Sequence, residues 1–213
     1  MARIVWDQLG ERLFEVGVSH GVLYPPDGVA GVAWNGLVAI QERSDGGSGK
    51  SYYYDGEKYA NVTSSEDFIG TIEALYAPDE FEVCNGVIEV VSGLLVTHQP
   101  RKPFGLCYKT MIGNDVDGVN HAYKLHLLYG LLASPSDKTF ASLSDEIELA
   151  PFVWEVTAKP PSIDGYRATA HLAIDSRKAD PTKLLEVESI LYGDTLTVPR
   201  LPSLSELITT LTP

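Results

Sequence analysis

Seven times along the chain an aspartate or asparagine is followed by glycine: Asp27-Gly28, Asn35-Gly36, Asp45-Gly46, Asp55-Gly56, Asn85-Gly86, Asp117-Gly118 and Asp164-Gly165. These dipeptides accept the positive φ angles of tight turns. The stretches between them are short and rich in Val, Ile, Tyr and Thr, which suits strands and leaves little room for long helices. Three stretches alternate with period two. Tyr123, Leu125, Leu127 and Tyr129 share one face, opposite Lys124 and His126. Phe152, Trp154, Val156 and Ala158 oppose Glu155, Thr157 and Lys159. Tyr166, Ala168, Ala170, Leu172 and Ile174 oppose Arg167, Thr169, His171 and Asp175. Alternation of this length predicts sheets with one buried and one polar face, hence a mainly β fold, a sandwich or barrel.

One helix is signalled, over about 181–192. Asp180 can cap it, Pro181 sits at its first position, Leu184, Leu185, Val187, Ile190 and Leu191 form an apolar stripe, and Gly193 ends it. The expected architecture is a β-sandwich of about 14–193 with this one flanking α-helix and extended terminal arms, 1–13 and 194–213. The C-terminal arm is broken by prolines and has a short helical turn around Ser205 to Leu211. The 213 residues, 44% of them hydrophobic, suffice for a single domain with one sizeable core.

Twenty-nine Asp and Glu against 16 Lys and Arg give a net charge of -13. A surface that acidic repels nucleic acid and anionic membrane, which argues against a DNA-reading role. The opening MARIVWDQLGERLF has no basic segment leading into a long apolar run, so no secretory signal is expected. No apolar run approaches the length of a membrane span. Cys84 and Cys107 are too few and too far apart for a disulfide framework or zinc site and read as reduced core residues.

Several motifs look chemical and fail on context. Ser44 to Ser51 ends in Gly49-Lys50-Ser51, as a P-loop does. Ser44 occupies the first glycine position, however, and Tyr52, Tyr53 and Tyr54 follow where a helix should start. This stretch reads as a Gly/Ser hairpin tip. Gly17 to Gly21 matches the nucleophile elbow around Ser19, but Pro25-Pro26 blocks the helix that an elbow requires. Asp115, Asp117 and Gly118 fall at calcium-loop spacing, yet both end ligands are missing, leaving a polar hairpin tip. His121 and His126, five apart, point to opposite faces of one strand and cannot grip one metal. Glu146 and Glu148 share a strand face and read as solvated or channel-lining carboxylates. No catalytic residue, metal site or cofactor is expected.

Taken in order, RLFEVGVSHGVLYP, GVAWNGLVAIQE, YYYDGEKY, TIEALYAPDEFEVCNG, QPRKPFGLCYKTMIGNDVDG, YKLHLLYG, FVWEVTAKP, TAHLAIDS and LLEVESILYG resemble the major tail protein of siphophages, above all those of actinobacterial hosts. The resemblance runs from about Arg12 to about Leu201. It implies a β-sandwich of the tail tube type whose copies join into hexameric rings and stack into a hollow tube for genome delivery. Implied partners are copies of itself, the tape measure protein, and the tail terminator and distal tail proteins. Genomic DNA would pass without specific binding and no membrane is involved. The implied location is the virion tail, with host cytoplasm during assembly. Contacts between subunits or rings are expected from Asp45, Gly46, Gly47, Ser48, Gly49, Lys50, Tyr52, Tyr53 and Tyr54 and from both arms, and an acidic lumen face from Glu146 and Glu148. Two other readings stay open at this stage: a tail ring protein that does not polymerise, and a carbohydrate-binding sandwich using Trp34 and Tyr52 to Tyr54 as an aromatic platform.

Overall fold

The structure, a computed structural model, describes residues 3–63, 66–136, 138–140, 142, 149–162 and 165–212. The fold is mainly β. Its main sheet is built from β1 (Phe14–Tyr24), β2 (Val32–Ala33), β3 (Leu37–Gly46), β6 (Glu66–Ala74), β9 (Phe104–Asn114), β10 (Gly118–Ala133), β11 (Phe152–Ala158) and β12 (His171–Asp175). All pairings are antiparallel, in the order β2-β1-β9-β10-β11-β6-β3. Two ribbons stand apart from it: β4 (Gly49–Tyr54) with β5 (Glu57–Thr63), and β7 (Ile88–Val91) with β8 (Leu94–Val96).

The long strand β10 is the hinge of the sandwich. One edge pairs with β9 along most of its length; the other pairs first with β12, from Lys124 to Leu128, and then with β11, from Leu131 to Ala133. Gly130 lies between these two pairings at φ 62°, and a Cβ there would fall 2.3 Å from the Lys159 carbonyl oxygen. Its substitution Gly130→Ala is expected to cost on the order of 1–3 kcal/mol from the positive φ alone, and more once the Lys159 carbonyl must withdraw. Urea unfolding of the variant measures this.

Folding at Gly130 places β11, β6 and β3 over the inner face of β1, β9 and β10. Leu23, Leu106, Tyr108 and Leu128 thereby meet Ile72, Ala74, Trp154 and Val156, with Trp34, Phe81 and Phe104 filling the space between. The outer face of the first layer carries Cys107, Leu125, Leu127 and Ile174 and is covered by α1 (Pro181–Tyr192) and α2 (Leu204–Leu211) through Leu184, Val187, Leu191 and Leu207. Each of the leucine, isoleucine and valine side chains among them contributes about 1.5–3 kcal/mol when fully buried. The expected helix is present with the expected bounds. Asp180 Oδ1 accepts from the N–H groups of Thr182 at 2.9 Å and Lys183 at 3.2 Å, and Gly193 follows the helix at φ 78°. The short turn expected near the C-terminus is a second helix with a Ser203 cap.

Three details depart from the sequence reading. The alternation from Tyr166 yields a strand only from His171, because the partner edge of β10 is handed to β11 beyond Leu128. His126 is buried, not solvated, since its face of β10 is the inner layer. Residues 194–203 lie on their own domain: Arg200 N–H donates to Ile190 O at 2.9 Å, Gly31 N–H to Pro199 O at 2.8 Å, and Tyr129 OH to Pro202 O at 2.7 Å.

At the end of β12, Asp175 accepts from the Arg177 side chain and backbone, at 2.6 Å from Nη2 and 3.0 Å from N. The guanidinium holds this carboxyl down at about 2. Its folded value is depressed, so its stabilising contribution is complete above the ordinary aspartate range and is lost as pH falls toward about 2. The stability difference between the parent and Asp175→Asn should therefore be full at pH 5 and shrink through that window, measured by urea unfolding at stepped pH.

Candidate functional site

The ends of the main sheet are open. On one side β3 pairs with β6 and has no second strand partner among the described residues; on the other, β1 pairs with β2 only at Val22 and Leu23. The two strands approach at Gly21, whose carbonyl accepts from Trp34 N–H at 2.8 Å and where a Cβ would meet Leu37 Cδ1 at 2.2 Å. Away from that point, the outer edge of Phe14 to His20 and that of Val38 to Gly46 have no strand partner among the described residues. Phe14, Val16 and Val38 are exposed on them. Open edges of this length and apolarity are usually blunted or used for pairing.

The predicted contact residues sit where the long β3–β6 ladder passes into a projecting ribbon. Asp45 and Gly46 pair with Asp67 and Glu66, Gly47 and Ser48 follow, and Gly49, Lys50, Tyr52, Tyr53 and Tyr54 belong to β4. Gly46 and Gly47 have φ of 98° and 68°, which carries the chain out of the main sheet. The Gly/Ser stretch is thus a junction and not the tip. The tip is Asp55-Gly56, at φ 48° and 80°, a pair suited to the mirror-image turn that closes two-residue hairpins. The structure brings the tyrosines together with Tyr59, whose ring meets Tyr54 at 6.5 Å between centroids. All four rings are exposed, Tyr59 by 81%. Glu146 and Glu148, the expected lumen face, lie outside the described residues.

A second ribbon was not anticipated. Ile88, Val90, Val91, Leu94, Leu95 and Val96 are all exposed on β7 and β8. Its sequence signal was consecutive apolar residues on both faces of a short hairpin with no polar alternation. An isolated two-stranded ribbon is marginal in water. The N-terminal segment adds Ile4, Val5, Trp6 and Leu9, likewise exposed.

The motifs that failed on context behave as structural parts. Ser19 lies in β1 at a bulge that Gly17 makes at φ 76°, and its Oγ meets His20 Nδ1 at 3.1 Å with no helix behind it. Asn114 folds the β9–β10 tip by accepting from Val116 N–H at 3.0 Å, and Asp117 holds His121 at 2.9 Å. Cys84 and Cys107 are buried free thiols, each pushed up to about 12 by burial and so inert. Trp34 is 2% exposed, which removes it from any sugar platform.

What sequence reasoning missed is a chain of polar groups crossing the inner layer where the apolar core ends. Beyond Leu106 and Leu128, the next inward positions are Tyr108 and Thr110 on β9 and His126 and Lys124 on β10. His126 Nδ1 lies 3.0 Å from His171 Nε2 on β12, and His171 Nδ1 lies 3.2 Å from Glu42 Oε2 on β3. Glu42 also accepts from Tyr108 OH, and the Tyr108 ring stacks on His126 at 4.6 Å. At the other end His126 Nε2 is 3.0 Å from Thr110 Oγ1 and 3.3 Å from Glu15 Oε1, with Glu15 paired to Lys124. Burial holds His126 below the ordinary imidazole range, and His171 acts in the same direction. Burial pushes the Glu15 carboxyl up, but hydrogen bonds from Lys124 and Thr110 leave it below its ordinary range. Among the described residues, Glu42, His126 and His171 are the group that presents metal-ligating atoms at close quarters.

The chain matches no protein-family model and no curated protein. Among solved structures it is similar to a chain of the anti-feeding prophage cap, a tube-terminating cap, at 9% identity and TM-score 0.38 over 83% of this chain and 97% of that one. It is also similar to a chain of the anti-feeding prophage baseplate, at 9% identity and TM-score 0.37 over 80% of this chain and 97% of that one. Values this low fix neither family nor function.

Proposed function

We propose that this protein is a structural subunit that assembles with copies of itself into the tail tube of a siphophage virion. The observation that carries the reading is the pairing of two open strand edges with two ribbons and an N-terminal segment that present large apolar side chains to solvent. The edges of β1 and β3 differ from one another, so their union is head-to-tail, and repeated head-to-tail union closes into a ring when the rotation allows. The ribbons and the segment before Phe14 then bind the neighbouring ring. Sequence resemblance to the major tail protein points to hexameric rings stacked as a tube, with the tape measure protein inside and the terminator and distal tail proteins at its ends.

The net charge of -13 suits a channel for DNA, because carboxylates repel phosphates over roughly 8–10 Å at physiological salt. The P-loop-like, elbow-like and calcium-loop-like stretches are a junction, a bulge and a turn, which fits a protein whose chemistry is assembly. Sedimentation of the purified chain over a wide concentration range tests the reading. Species far above the monomer that grow with concentration, and no retention of double-stranded DNA, are expected; a monomer at every concentration opposes it. A tail ring protein that does not polymerise would stop at one closed ring.

A further inference from the structure

Glu42, His126 and His171 reach one another from β3, β10 and β12, and each offers a ligand atom within 4.8 Å of the others. We propose that they form a binding site for one divalent transition-metal ion of the zinc class.

The donor set is the one such ions take, two imidazoles and a carboxylate. Spacing agrees with it. Ligand atoms around a tetrahedral ion, with bonds of about 2.0–2.1 Å, lie about 3.3 Å apart. His126 Nδ1 and His171 Nε2 are 3.0 Å apart, so the pair has to open by only a few tenths of an ångström. Glu42, now 3.2 Å from the far nitrogen of His171, swings from that nitrogen to the ion. Binding replaces the hydrogen bond between the imidazoles and releases its proton, as metal sites with protonated ligands do.

The surroundings are those that orient metal ligands. With Nδ1 on the ion, His126 keeps Nε2–H for Thr110 Oγ1 at 3.0 Å and Glu15 Oε1 at 3.3 Å. A histidine held between a metal and a carboxylate in this way has a fixed tautomer and ring orientation. Glu42 Oε1 is occupied by Tyr108 OH, which leaves Oε2 for the ion. Entry is open as well: a groove of about 1000 Å³ is lined by Glu42 and His171, with Glu66, Asp67, Arg43 and Arg167 on its walls. It has room for the water that completes a four-coordinate shell. An ion here ties the open edge strand β3 directly to β10 and β12, with neither of which it forms a ladder among the described residues.

The test is titration of the full chain, stripped by a chelator, with Co²⁺ followed by its visible absorption and then with Zn²⁺ as competitor. Saturation at one equivalent, with the absorption of a low-coordinate site and displacement by zinc, is the expected result. Loss of an outer-shell partner weakens metal affinity by about 10–100-fold, so His171→Gln and Glu42→Gln, each removing a ligand, should weaken it at least as much. Both residues are half-buried, and far-UV circular dichroism verifies the fold of each variant. His121→Gln, at the β9–β10 tip, should bind as the parent does. Absence of saturable binding by the unaltered chain overturns the site on its own. So does binding that survives both ligand variants, or that falls equally with His121→Gln.

Discussion

Replacing Tyr52, Tyr53, Tyr54 and Tyr59 together with serine should leave the monomer folded and raise the concentration needed for self-association by at least about a hundredfold. The four rings are exposed on a ribbon that pairs with no strand of the main sheet among the described residues, so their removal costs the monomer little. Surface changes away from special features usually fall within about 0.5 kcal/mol. At an interface the same rings matter more, because tyrosine is among the residues that carry binding energy and truncation of such an anchor costs about 2 kcal/mol or more. Thermal unfolding and sedimentation of the variant separate the two effects. An unchanged association would remove the β4–β5 ribbon from the contact, and a collapsed melting temperature would show that the rings serve the monomer.

The second large effect belongs to the core. Trp154→Ala is expected to destabilise the domain by about 3–5 kcal/mol, a large fraction of the total stability of a domain this size. Trp154 is 2% exposed on β11 and touches three aromatic neighbours, with ring centroids 5.4 Å from Phe81, 5.9 Å from Trp34 and 6.0 Å from Phe152. These rings join the two layers of the sandwich where Gly130 folds one over the other. The indole N–H is buried and has no hydrogen-bond partner among the described residues. Removing it relieves a cost of about 1–3 kcal/mol, so Trp154→Phe should be milder than the lost volume suggests. Denaturant unfolding of both variants gives the values; a Trp154→Phe loss as large as its lost volume implies would mean that the N–H carries no penalty.

What the sequence made legible was whatever its own local chemistry decides. The helix from Pro181 to Tyr192 has its cap, first-position proline and terminal glycine all within its own stretch, and its bounds followed. The inward face of β11 was equally plain, because Phe152, Trp154, Val156 and Ala158 alternate against exposed neighbours. Where the outcome depends on a distant partner, local pattern misled. Tyr166 to Ala170 alternates like a strand, but the edge it would join belongs to β11 by then. His126 looked solvent-facing because its neighbours on β10 say nothing of the layer that folds over them. The Glu42–His126–His171 group needed three strands in register, with 84 positions between Glu42 and His126 and 45 between the two histidines, and no single segment shows it. The Gly/Ser stretch reads in the sequence as the hairpin tip, but the turn lies at Asp55-Gly56.

Electron microscopy of the purified chain at high concentration, with and without virion-derived tail ends as seeds, addresses the tube assignment most directly. Hollow tubes of stacked rings are the predicted result, and seeds should lengthen them. Particles that remain monomeric even with seeds would contradict self-assembly, and single closed rings that never stack would contradict the tube in favour of a capping component.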